Sequence, residues 1–499
     1  MNWSTIIISF APQHMLLTGF LLIMLWEMIS KLHNNSQYQN KKIFSIIPNF
    51  MFKENIYFFQ AISIVTISMI LALWSFSTNY IAEPFPGQFS VTPLTNLLVL
   101  IVLLLVIPSI LFAKNEHSSP RFYLLIIASV YGATIIPTAD SFVSLFLSIE
   151  MTAIPVYALV IMPSNNGKLR LAAEAALKYL IIGSIATSTI LLGIAFFIGS
   201  NSSISLALGE FISLANSLNS SSIDKNILII LSITFLLLFL FIKSAIAPFH
   251  TWSPDAYGSS SLSVTAFMST VIKFSVFLAA LKLFAQVNFT SIFITIIFIF
   301  LLFSILWGNF AAIYQTNFRR FIGYTSIAHA GYLFYAFLGD AGSERYLAIS
   351  YYTIVYGLAI FIAFLSLPYN YSNKNSSNIQ IDDLVNLKGL FYQSPFSAIM
   401  LMISMLSLAG LPPFPGFVGK FLIFKNVASA GLISYAVIGL LASFTGLYVY
   451  LRITQLIFNK ENSNQFAKKP ILNNVICSIC ILIMLYLLIF PQTYFQLFN

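Results

Sequence analysis

The chain reads as an all-α, polytopic membrane protein of about fourteen transmembrane helices, with two inverted five-helix repeats that each contain a broken helix. Three observations predict this. Of the 499 residues, 59 % are hydrophobic and only 8 % charged, with mean hydropathy +0.89. No soluble fold needs that balance. Apolar runs of about 20 residues recur from end to end, each long enough to span a bilayer as a helix. The ten-residue alternation of a membrane β-barrel is absent. Finally, prolines interrupt two of the runs, and each break has a lysine beside it.

The runs lie near 5–29, 56–77, 92–113, 121–139, 141–163, 171–199, 227–250, 261–283, 291–314, 318–338, 346–369, 394–425, 431–458 and 471–491. The first is a full-length span with no small-residue cleavage site, so no cleavable signal peptide is expected. Residues 1–115 hold three spans with few internal charges. Residues 116–285 form the first five-helix unit and 286–459 the second, and 460–499 hold the last span. The loops 31–54, 200–226, 370–389 and 459–470 are Asn/Ser-rich surface connections.

The net charge of +9 does not point to nucleic acid, because the cations lie mostly in short loops between apolar runs. Sorted by side, 15 Lys and Arg fall on one face and 4 on the other, and the remaining five of the 24 lie within spans. Under the positive-inside rule this places both termini outside.

Phe241-Ile242-Lys243-Ser244-Ala245-Ile246-Ala247-Pro248-Phe249-His250 is the first broken run. An ammonium at mid-helix costs roughly 2.5–3.5 kcal/mol on insertion scales, which makes a functional role the default reading. Pro248 removes a donor and clashes with the preceding turn. The freed backbone groups are tolerated only where protein or water covers them. A second break, Gly410-Leu411-Pro412-Pro413-Phe414-Pro415-Gly416, is followed by Lys420. Five spans is an odd number, so two such units in succession are inverted. Interrupted helices at matching places are the sequence pointer to an inverted-repeat transporter.

Glu150 in the fifth span, Lys243 and Lys273 in the seventh and eighth, and Lys420 in the twelfth are the candidate proton relay. A lysine out of water exchanges its proton closer to neutral pH. Glu150 is either a static partner of a lysine or a charge that biases its protonation. His250 and His329 titrate near neutrality and suit a relay, or serve as satisfied structural residues. Glu174 and Lys178, four apart, are either a plain helix ion pair or a further relay step. Arg452 reads as an interfacial anchor, and Cys477 and Cys480 as buried helix cysteines. There is no P-loop, no dinucleotide fingerprint and no cysteine cluster for iron–sulfur. No cofactor and no metal is expected on this chain.

Several segments carry a resemblance: Glu174-Ala175-Ala176-Leu177-Lys178-Tyr179, Pro248-Phe249-His250-Thr251-Trp252-Ser253-Pro254-Asp255-Ala256-Tyr257, Val264-Thr265-Ala266-Phe267 leading to Lys273, Tyr324-Thr325-Ser326-Ile327-Ala328-His329, and Gly416-Phe417-Val418-Gly419-Lys420-Phe421. On these the chain resembles the antiporter-like membrane subunits of respiratory complex I, over most of its length and most strongly from about 140 to 425. The resemblance implies that Glu150 pairs with Lys243, that Lys273 is the central relay, that Lys420 ends the second half-channel, and that His250 and His329 line the axis between them. It implies other complex I subunits and the lipid bilayer as partners, with NADH and quinone as substrates of the whole complex. Two departures stand out. Gly258-Ser259-Ser260-Ser261-Leu262-Ser263 replaces a common Gly-Ala-Pro element, and Pro12-Gln13 replaces a common Pro-Glu. The competing readings are a subunit of a multi-subunit sodium/proton antiporter, which shares the Glu-Lys-Lys pattern, and a structural subunit that pumps nothing.

Overall fold

A computed structural model of the chain describes residues 3–34, 55–114, 116–162, 169–200, 206–218, 223–370, 379–380, 382–459, 466–467 and 470–497. The loop lysines Lys41, Lys42, Lys53, Lys168, Lys374, Lys460, Lys468 and Lys469 lie outside the described residues. Among those described, the architecture is helical throughout, apart from a short hairpin (Ala82–Phe85 with Phe89–Val91) and three two-residue strands. Twelve helices among the described residues are long and apolar enough to cross a membrane.

Two predicted spans fall outside that dozen for physical reasons. Near 318–338 stands the helix Phe318–Tyr335, continued by a single tighter turn over Ala336–Leu338. It is less apolar because it carries Arg319, Arg320 and His329. Near 394–425 there are two helices, Pro395–Ala409 and Pro415–Ser429. The first ends on Gly410 at φ +80°, a left-handed conformation that costs glycine nothing. The seventh span also needs correction. Its helix, Ile223–Ser244, stops at Ser244 rather than reaching 250. Ala245 turns to φ +62°, and a short helix, Trp252–Ser259, follows the break.

Burial separates an inner from an outer layer. The spans Leu262–Phe284 and Ser343–Ser366 are each 94 % buried, and Pro93–Ala113 is 83 %. Leu169–Ser200, Ser291–Ile313 and Ile471–Ile489 have only about a third of their residues or fewer buried and turn the rest outward. A helix apolar all round can sit in either layer, so hydropathy alone does not sort them. One of the two most buried described helices, Leu262–Phe284, here called the central helix, carries Lys273.

Candidate functional site: a line of buried lysines

Lys243 occupies the last turn of Ile223–Ser244, where unsatisfied carbonyls and the helix dipole favour a cation. Its Nζ lies 3.4 Å from Glu150 Oε1 and donates to the Tyr157 hydroxyl at 3.3 Å. The Thr187 hydroxyl donates to the same carboxylate oxygen at 2.9 Å, which fixes the Glu150 rotamer. The pair is thus held across three helices, and the lysine side chain is only 6 % exposed.

Lys273 is next. It shares with Lys243 a small cavity, about 10 Å³ of water-accessible space, also lined by Tyr179, Ser253 and Tyr257. That is near the minimum for one water molecule. Lys273 Nζ donates to the Ser326 carbonyl and lies 5.7 Å from the centre of the Tyr356 ring.

His329 stands between Lys273 and Lys420 and within the electrostatic reach of both. Each ring nitrogen lies 2.7 Å from a tyrosine hydroxyl, Nδ1 from Tyr352 and Nε2 from Tyr450. A neutral imidazole donates from one nitrogen and accepts at the other, so the two tyrosines can satisfy it in either tautomer. The ring lies 4.7 Å from that of Tyr356 on one side and 5.7 Å from that of Tyr332 on the other.

Lys420 completes the line. Its Nζ is 4.6 Å from the Tyr332 ring centre and donates to Ala409 O at 2.8 Å. Ala409 ends the first half of the second broken helix, so Lys420 reaches back across the break to its carbonyl end. Lys243 also sits at the carbonyl end of a first half-helix, although it precedes its break in the chain. Both breaks thus present a C-terminal dipole to a lysine.

Two of the sequence candidates stand apart from this line. His250 lies in the first break and is half-buried, its Nε2 accepting from Trp307 Nε1 at 2.8 Å. Lys178 is exposed and bridges Glu174 at 2.9 Å and Asp255 at 3.0 Å, with Arg320 3.6 Å from the same aspartate. Sequence reading missed the tyrosines. Tyr352 and Tyr356 are four apart on one helical face, a detectable signal, but Tyr332 and Tyr450 join them only in three dimensions. Among the described residues, no group of three or more His, Cys, Asp and Glu could hold a metal ion.

Residues 139–446 match the family profile described as NADH:quinone oxidoreductase/Mrp antiporter, TM. The chain belongs to this family. Within it, the relatives are subunit N proteins of NADH-quinone oxidoreductase. The one from Pelobacter propionicus is 32 % identical over 70 % of this chain and 71 % of its own length. The one from Methylovorus glucosotrophus is 28 % identical over 96 % and 94 %. A chain of respiratory complex I from Thermus thermophilus with bound aureothin superposes with TM-score 0.76 at 25 % identity, covering 96 % of this chain and 98 % of that one. The family assignment spans both broken helices and all four members of the Glu150, Lys243, Lys273 and Lys420 set.

Proposed function

We propose that the chain is a proton-carrying membrane subunit of an NADH–quinone oxidoreductase, assembled with the other membrane and peripheral subunits of that complex in a bacterial inner membrane. One observation carries the reading. Lys273 and Lys420 are each only 5 % exposed, and among the described residues neither has a carboxylate partner. Unpaired buried ammonium groups are costly, and membrane proteins keep them mainly for ion transfer.

In this reading Lys243 and Glu150 form a pair whose separation changes the field at Lys273, since charges out of water interact far more strongly than exposed ones. Lys273 passes its proton through the His329 and tyrosine cluster to Lys420. Each residue takes one proton as it releases another. The two five-helix units supply the two breaks and stand in inverted order, with both chain termini on the outer side. NADH and quinone react elsewhere in the complex, and this chain binds no cofactor of its own.

The test is NADH-driven proton uptake by inverted membrane vesicles carrying the assembled complex. Lys243→Ala and Glu150→Ala should each slow uptake by about a hundredfold, the low end for loss of a positioned proton carrier. Wild-type uptake in both would overturn the role of that pair.

A further inference from the structure

The N-terminal end of the central helix carries a polar cluster that the lysine line does not use. Ser261 caps this helix by accepting from the Val264 N–H. The segment ahead of Pro120–Ile135 lays Glu116 and His117 against the cap. The Ser263 N–H donates to Glu116 Oε2 at 2.8 Å, and the Ser263 hydroxyl faces the same carboxylate. His117 Nε2 is 2.9 Å from Ser261 Oγ, and its ring stacks on Phe122 at 4.0 Å. Ser261 Oγ and Ser263 Oγ are 3.3 Å apart. Proline at 263 could not make the contact to Glu116, having no N–H.

From the cap inward, the helix repeats a polar side chain every fourth residue: Ser261, Thr265, Ser269 and Lys273. A four-residue step overshoots one α-helical turn by about 40°. The wider π turn at Met268–Ile272 takes part of that drift back, so the stripe stays aligned where it meets the lysine. All three hydroxyl residues are at most 1 % exposed. Neighbours four apart on a helix are roughly 5–6 Å apart, a gap that one bridging water closes.

We propose that Glu116 loads protons into this stripe and that Ser263, Ser261, Thr265 and Ser269 hand them to Lys273, a path that rests on the proton-carrying function proposed above. A proton from water binds the Glu116 carboxylate. Each hydroxyl then accepts one proton on its oxygen while passing its own to the next oxygen. The Lys273 amine takes the last, and no hydroxyl keeps a net charge. Burial pushes the Glu116 carboxyl above the usual carboxylate range, against the opposing pull of Ser263 and Arg319. Arg319, which donates to Ser260 O and pairs with Asp382, is the cation facing this group. Burial lowers the His117 imidazole to about 4, so it remains neutral and acts as a positioning residue that orients the Ser261 hydroxyl.

The experiment compares Glu116→Gln, Ser269→Ala and Lys273→Ala in the assembled complex, reading proton uptake by inverted vesicles from pH 6 to 8. Glutamine still accepts from the Ser263 N–H, so a purely capping Glu116 would not notice the change. Ser269 donates only to Ala266 O within its own helix, so its removal leaves the fold intact even if the Glu116 variant assembles poorly. The expected result is a severalfold loss of uptake in both variants, with a flattened pH profile in Glu116→Gln. Wild-type uptake in Ser269→Ala, beside a loss in Lys273→Ala, would overturn the path alone. Wild-type uptake in Lys273→Ala would overturn the function it rests on.

Discussion

Single charges set the chemistry, and their surroundings say what each substitution does. Lys420 reaches a carbonyl and a tyrosine face, contacts that any cation can make in part. Lys420→Arg should therefore retain more proton uptake than Lys420→Ala, which should lose about a hundredfold. Uptake assays on the two variants side by side check the order. His329 depends on two hydroxyls, so Tyr450→Phe should leave one ring nitrogen unsatisfied at a cost of about 1–3 kcal/mol. A lower melting temperature for that variant, measured in detergent, checks it. His117 gives a pH dependence whose sign is fixed. Its folded form holds a proton less readily than the unfolded chain, with a pKa of about 4 against an ordinary 6.5. The stability it contributes is complete above about 6.5 and is lost as pH falls toward 4, by roughly 3 kcal/mol in all. Thermal melts from pH 7.5 to 5 should fall more steeply for the wild type than for His117→Asn. The residue types of the lysine line were legible because a charge inside an apolar run carries a free-energy cost that packing alone does not require. The tyrosines were not, because an aromatic residue in a membrane helix is ordinary packing material.

At the scale of elements, the two breaks do the positioning. Each stops a helix short and turns its carbonyl end toward a lysine. The second break depends on a close approach: a Cβ on Gly416 would overlap Ser407 O, a backbone atom that cannot swing aside. Gly416→Ala should push the half-helices apart at a cost of about 1–3 kcal/mol, lowering both the melting temperature and the yield of assembled complex. Gly209→Ala, at a position where a Cβ meets nothing, is the matched control and should melt as the wild type does. Proline announced the first break in the sequence, and proline with glycine the second. The place where each helix stops was less legible, because it depends on the backbone turning at Ala245 and Gly410.

At the scale of the molecule, two buried helices form a core around which the others pack, and the polar line runs through that core. A chain built this way belongs in a larger assembly. Affinity purification in mild detergent should recover it with NADH-dehydrogenase and iron–sulfur subunits. Recovery with small membrane partners alone would favour the antiporter reading. The sequence alone decides the helical class, the approximate spans and the charges that stand out within them, because hydrophobic run length and the cost of a buried charge are local properties of the chain. Only the tertiary structure decides which polar groups meet. Glu116 and Ser263 are 147 residues apart in sequence, and His329 and Tyr450 are 121 apart. Such contacts are chosen by how whole helices pack, and nothing in the spacing of one helix encodes its neighbour's face.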